Sequence, residues 1–339
     1  MKSPFVTYSS LVAKKRIIKK SDILIIIPTY KAPQEVISCV RSLRSQTGIR
    51  FDILIVDNGK DDYKQVLKKY PLLNYVALNK NTGSAGGFRI GGEIGLHYNY
   101  EYLIFADEEL ILMKKTTLQR LKKVLDSSVR IGAVGPTLIG SKEATMKKLI
   151  PGEGIVSFCM FTKATAVRKA GFHNIHLFWL GDDVDLSLRI NRYYEEYYVP
   201  GATYFHPSFS PGRMTTFYVY FVTRALLYLA LFAPVIRLRS KLKLFYYFVL
   251  KAGQSCLSAI CYRDISYIQA VSLAVIGAMH IEWDLRKHIK KNKYYLRPLK
   301  SSPSEKSVFF TNTSVLNKNR YYFMYLEPNK KAYFELAKY

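Results

Sequence analysis

Apolar positions follow two rhythms through the first two hundred residues. Apolar runs at 23–27 (ended by Pro28), 51–56 (interrupted only by Asp52 and ended by Asp57–Asn58–Gly59), 75–78 and 102–106 read as buried strands, the kind parallel sheets use. Between them apolar residues return at helical spacing: Val36, Ile37, Val40 and Leu43 behind Ala32–Pro33, then Val66 and Leu67, then Leu118, Leu121, Val124 and Leu125. Residues 131–135 and 156–161 add two strands, and Thr162 stands where it would cap a helix running through Val167. Residues 197–205 read as a pair of short strands or a bend. This alternation predicts an α/β fold, a doubly wound, mostly parallel sheet flanked by helices, with ligands at the C-terminal strand ends.

Chemistry-bearing residues gather at those ends. Pro28–Thr29–Tyr30 follows the first strand and Asp57–Asn58 the second, where turn formation and nucleotide binding are both open readings. The third is followed by a stretch with six glycines, Gly83, Gly86, Gly87, Gly91, Gly92 and Gly95. Glycine is poor helix material, yet it lets backbone approach a ligand closely; a loop leading into a tightly packed helix is the alternative. Asp107–Glu108–Glu109 ends the fourth strand as a hard, oxygen-rich group suited to Mg²⁺ or Mn²⁺ carrying a diphosphate, or as a solvated acidic turn. Further on, Trp179-Leu-Gly-Asp182-Asp183-Val-Asp185 sets three carboxylates within four positions at a helix start. Like charges repel, but a helix N-terminus tolerates them and one can act as a general base; a multiply acidic cap is the alternative. His206 then closes an aromatic run as a candidate ligand or a structural histidine.

Charge changes the picture of partners. Fifty-one Lys and Arg against 25 Asp and Glu leave a net +26, which favours phosphates and anionic lipid headgroups. Nucleic acid would fit the charge too, but no helix-turn-helix, zinc or RNA-binding signature supports a specific site. Four cysteines without metal or disulfide spacing point to a reducing compartment, and residues 1–20 read as a basic extension rather than a signal peptide. A cytoplasmic protein at the inner face of the cell membrane is therefore expected.

Composition shifts after Gly212. Apolar, aromatic stretches at 217–236, 244–250 and 265–281 alternate with basic residues such as Lys241, Lys243, Lys251 and Arg263. Three readings stand: a helical subdomain packed on the core, peripheral contact with an anionic membrane, or a membrane span, for which the 265–281 run is shorter than the roughly 20 residues required. The expected division is a basic extension (1–20), a catalytic domain (21–213) and a helical, basic-aromatic region (214–339).

Taken in order, strand–Pro-Thr-Tyr, strand–Val-Asp-Asn, Asn-x-Gly-x-x-Gly-Gly-Phe, strand–acidic triplet, Trp-x-Gly-Asp-Asp-Val-Asp and Tyr-Val-Pro-Gly-Ala…His resemble the family 2 glycosyltransferases, most of all their rhamnosyl- and galactofuranosyltransferase branch. The resemblance covers about 21–224 and implies a GT-A fold, a nucleotide-diphosphate sugar donor, a glycan or lipid-linked acceptor, and inversion. It places Pro28, Thr29, Tyr30, Asp57 and Asn58 against the nucleoside. Gly86, Gly87, Phe88, Arg89, Asp107 and Glu108 would border the donor. Asp107, Glu109 and His206 would hold Mn²⁺ or Mg²⁺. Asp183 would be the base, with Asp182, Asp185 and Trp179 orienting it or meeting the acceptor. Glu109 departs from the family's usual Asp and puts metal choice in question. It also keeps open a catalytically decayed protein that binds nucleotide sugar or glycan without turnover.

Overall fold

The computed structural model describes residues 12–59, 63–79, 81–139, 147–149, 154–155, 158–205, 216–232, 238–291, 322–325 and 333–336. Its centre is β2 (Ile23–Thr29), all seven residues of which are buried. Alternate side chains of such a strand feed opposite faces. Ile23, Ile25 and Ile27 pack under α1 (Pro33–Arg44) and α4 (Thr117–Asp126), while Leu24 and Ile26 pack under α3 (Gly83–His97), α5 (Ala164–Ala170) and α6 (Asp182–Ile190). β2 pairs in parallel with β3 (Asp52–Asp57) and β5 (Tyr102–Ala106), and β3 with β4 (Asn74–Leu78). Three strand ends, at Thr29, Asp57 and Ala106, thus open on one edge of the sheet. The short α2 (Lys64–Lys69) links β3 to β4.

The sheet has ten strands and is mixed. β1 (Val12–Arg16) closes one side antiparallel to β4. On the other side β9 (Cys159–Lys163) runs antiparallel to both β5 and β7 (Ile131–Leu138). β10 (Glu195–Phe205) is parallel to β7, with β6 (Ile111–Leu112) and β8 (Lys147–Lys148) as short antiparallel edges. The stretch expected to be a pair of short strands or a bend is one strand, and it is bent. Its register slips between Val199 and Thr203, around Gly201 at φ +75°, so a bulge supplies the bend. Thr162 does not cap α5: Lys163 holds that position, and the Thr162 hydroxyl donates to the Gly132 carbonyl instead.

The glycine-rich stretch is helix throughout α3, against its intrinsic propensity. A Cβ on Gly91 would lie 2.2 Å from Ile26 Cγ2, and one on Gly95 2.4 Å from Leu103 Cδ2. The glycines let this helix lie directly on β2 and β5.

Helices α7 (Thr216–Phe232), α8 (Leu238–Tyr262) and α9 (Ser266–Lys291) follow, and α7 packs on the α/β body. β11 (Tyr322–Tyr325) and β12 (Tyr333–Leu336) form a separate antiparallel pair.

Candidate active site

The end of β2 is tied to its neighbours by side chains. Thr29 Oγ1 and the Tyr63 hydroxyl share a hydrogen bond of 2.8 Å, and the Tyr30 backbone N–H donates to Glu108 Oε2 at 3.2 Å. Tyr30 itself is 46% exposed and is the member of this group that offers a face to a ligand. Asp57 is fully buried: the Tyr75 hydroxyl donates to its Oδ2 at 2.6 Å and the Gly59 N–H to its Oδ1 at 2.8 Å. Asn58 Oδ1 accepts from Thr82 N and Oγ1, and its amide donates to the Gly83 carbonyl. Asn58 therefore braces the start of α3, and Asp57 ties the end of β3 to β4.

Gly86 and Gly87 answer to packing. A Cβ on Gly86 would meet Thr82 Cβ at 2.3 Å, and one on Gly87 would meet Pro28 Cβ at 2.6 Å. Phe88 and Arg89 were expected on the donor pocket; both lie in the interior. Phe88 stacks on His173 and meets Phe105 edge-on, and Arg89 pairs with buried Glu93 at 2.8 Å. Phe88 lies next to the glycine face that meets the sheet, and Arg89, on the other side of α3, is covered by Phe172.

The acids at the end of β5 and at the start of α6 converge. Burial pushes the Glu108 carboxyl up to about 8, with the charges of Asp107 and Glu109 adding to the rise and hydrogen bonds from Thr29 and the Tyr30 N–H opposing it. Asp182 is buried, and Oδ2 has no hydrogen-bond partner among the described residues. Burial holds its carboxyl well above the usual range, followed by the charges of Asp183, Asp107 and Asp185. Asp107 acting on Asp182 joins two groups separated by 75 positions, so the two acidic clusters share one neighbourhood. Asp183 is the half-exposed member of the adjacent pair. Asp185 does not face the cleft: its Oδ2 accepts from Arg189 Nε and Nη2, and that guanidinium also donates to the Ala170 and Phe172 carbonyls.

Asp107 and Glu109 supply hard oxygen donors, and the mutual repulsion recorded at Glu108 and Asp182 is what a cation would relieve. Among the described residues no three His, Cys, Asp or Glu side chains enclose a metal position. His206 lies outside the described residues. The set fits an open site, one or two carboxylates with substrate oxygens and water completing it, rather than an all-protein cage.

The turn before α6 is strained. Phe178, Leu180 and Gly181 have φ of +54°, +64° and +81°. Only glycine adopts such values cheaply; elsewhere they persist when surroundings over-determine them. Ala85 N–H donates to the Phe178 carbonyl at 3.1 Å, Phe178 stacks on Phe221, and half-buried Trp179 packs against Phe221 and Tyr218. Buried Arg224 of α7 donates to the Leu177 carbonyl and lies over the Phe221 ring at 4.6 Å. No reading of the sequence singles out Arg224, which looks there like one charge in a helix of apolar residues.

Glu196 of β10 fixes α6 from below. It accepts from Ser187 Oγ at 2.8 Å and Asn191 Nδ2 at 3.3 Å, while Oε1 has no partner among the described residues. Burial pushes it to about 8 from an ordinary 4.5. The folded state thus binds this proton more tightly than the unfolded chain. Its stabilising contribution is complete below about pH 4.5 and is lost as pH rises toward 8, at no more than about 1.4 kcal/mol per pH unit. Glu196→Gln should flatten that decline; thermal melts at several pH values read it, and parallel curves for the two proteins would reject it.

Residues 24–179 match the family model described as Glycosyl transferase family 2. Galactofuranosyltransferase GlfT1 of Mycobacterium tuberculosis is 22% identical over 193 residues, 49% of this chain and 64% of that protein, so the chain spans less than two thirds of the curated relative's length. Mannosyltransferase PcManGT from Pyrobaculum calidifontis, solved with GDP-Man and Mn²⁺, superposes with a TM-score of 0.50 at 14% identity, covering 84% of this chain and 91% of that one. S. aureus TarS 1-349 gives a TM-score of 0.50 at 12% identity over 85% and 99%. These likenesses show the fold, GT-A, with its added C-terminal helices.

Proposed function

We propose, from the match of residues 24–179 to the family 2 glycosyl transferase model, that this chain moves a sugar, with inversion, from a nucleoside-diphosphate donor to a hydroxyl of a glycan or lipid-linked acceptor. The observation that supports the proposal is that the Asp107 charge acts on Asp182, 75 positions on in the chain and next to half-exposed Asp183.

Asp183 is the base. Burial and neighbouring charge push the Asp182 carboxyl well above its usual range, whereas Asp183 is the half-exposed member of the pair and the one an acceptor can reach. Neighbouring carboxylates whose environments differ in this way divide acid and base roles. The acceptor oxygen forms its bond to the anomeric carbon as the bond to the diphosphate breaks on the opposite face. The hydroxyl proton passes to Asp183, and the electron pair leaves with the diphosphate. Tyr30 offers its exposed ring to the nucleoside, and the strained turn at Phe178–Gly181 aims the start of α6.

Asp107 and Glu109 would hold a divalent cation, Mn²⁺ or Mg²⁺, whose chemistry is to neutralise the diphosphate as charge builds on it. Chelation by EDTA should suppress turnover of labelled donor, and added Mn²⁺ or Mg²⁺ should restore it; full activity in chelator would remove that role from both residues. Turnover of any nucleotide sugar in a panel tests the proposal as a whole. A donor present at a hundred times its dissociation constant should also stabilise the fold by about 2.7 kcal/mol.

A further inference from the structure

Helix α7 is bound to the catalytic body along its length. Arg224 reaches the Leu177 carbonyl, Ala225 abuts Gly181, and the Tyr228 hydroxyl accepts from Asn174 Nδ2 at 3.2 Å. α8 and α9 are held to α7 in turn. Leu244 and Phe248 of α8 pack on the cluster around Ala225 and Tyr228. α9 presents Ala270, Ala274 and Ala278, small residues at helical spacing that are fully buried against this group.

Each of the two helices then turns an apolar stripe outward. On α8, Leu242, Tyr246, Leu257 and Ile260 are 61%, 59%, 63% and 72% exposed. On α9, Ile276 and Met279 are 44% and 53% exposed. Water-exposed apolar surface on this scale is uncommon on a soluble monomer and marks a docking face. Its charge is of one sign along α8, which carries Lys241, Lys243 and Lys251 and no acidic residue, and exposed Arg263 follows it.

We propose that the outer faces of α8 and α9 lie in one leaflet of an anionic lipid bilayer, without crossing it. Apolar helix faces bordered by Lys and Arg bind such surfaces through buried apolar area and attraction to anionic headgroups together. Charge selects this occupant over a second copy of the chain, because two such faces would bring like charges together. The 241–261 segment is long and apolar enough to span a membrane by length and composition, and 11% of it is buried. Its inner seam nevertheless rides on α7, and α7 on the catalytic body, so a crossing would draw that body into hydrocarbon. The inference does not rest on the sugar-transfer reading.

The full-length protein should float with phosphatidylcholine vesicles containing phosphatidylglycerol, and markedly less with phosphatidylcholine alone. The triple variant Leu242→Gln, Leu257→Gln, Ile260→Gln should partition about tenfold more weakly while melting near the wild-type temperature, since all three sites face solvent. Cys256 and Cys261 of α8 are exposed while Cys39 and Cys159 are buried, so an environment-sensitive maleimide reports α8. Its emission should shift to the blue with anionic vesicles, and alkaline carbonate should release the protein. Failure of the full chain to float, flotation of the triple variant like wild type, or a stable dimer dissolved by the same substitutions would overturn the proposal. Retention through carbonate would overturn the one-leaflet placement.

Discussion

Changing Asp183 to Asn is expected to lower sugar transfer by about 10²–10⁴-fold, the usual worth of general-base help, with the domain folded and donor binding retained. Asn matches Asp in size and can still accept from the Val184 N–H, as Asp183 Oδ1 does at 2.7 Å. It cannot take a proton from the acceptor. The matched control is Asp182→Asn. Asp182 is buried beside Asp183 and is held protonated by its surroundings. An amide there resembles the neutral acid already present, so less than about a tenfold loss should follow. Asp185→Asn should act differently again, by loosening the Arg189 brace under α6 and lowering the melting temperature. Initial rates with labelled donor, read beside nucleotide-dependent thermal shifts, separate the three. Wild-type turnover in Asp183→Asn rejects the assignment, and a large loss confined to Asp182→Asn moves the base by one residue.

The apolar runs made β2 to β5 legible because strands covered on both faces need nothing but apolar side chains. That same rule hid direction: β9 also opens on an apolar run, Cys159–Phe161, yet it pairs with β5 antiparallel. The glycines of α3 illustrate the reverse. Propensity argues against a helix, and contact with Ile26 and Leu103 overrules it. The acids at 107–109 and 182–185 could each be recognised from residue type and place, but their meeting depends on a sheet that no local pattern specifies. Asp57, Asn58 and Asp185 were visible as polar residues in informative places, while their partners, Tyr75, Thr82 and Arg189, sit at ordinary spacings. Residue type alone does not distinguish a side chain that meets a ligand from one that holds the wall behind it.

Arg224 is where that difference carries the largest consequence away from the acids. Its substitution by Met is expected to cut kcat by about 10²-fold, the cost of a displacement on the order of 1 Å at the reacting groups, while leaving donor affinity within about twofold. The reason lies in the turn it holds. Phe178 and Leu180 sit at φ values that cost roughly 1–3 kcal/mol each and would relax if released. Three contacts oppose release: the Ala85 N–H on the Phe178 carbonyl, the stack of Phe178 on Phe221, and the Arg224 guanidinium on the Leu177 carbonyl. Met fills much the same volume but removes the charged donor and leaves that carbonyl with the Trp179 N–H as its remaining partner among the described residues. Loss of a charge-assisted hydrogen bond in a buried place costs about 1.5–3 kcal/mol, so the melting temperature should fall as well. Assays therefore belong well below the variant's melting point. Arg224→Lys, which keeps the charge and one donor, should recover part of kcat. A residue that merely fills space would change stability and leave kcat and its recovery by Lys unmoved, and that result would return Arg224 to packing. Arg224 belongs to the helix on which α8 and α9 rest, and with Ala225 on Gly181 and Tyr228 on Asn174 it joins the base turn to the exposed apolar faces.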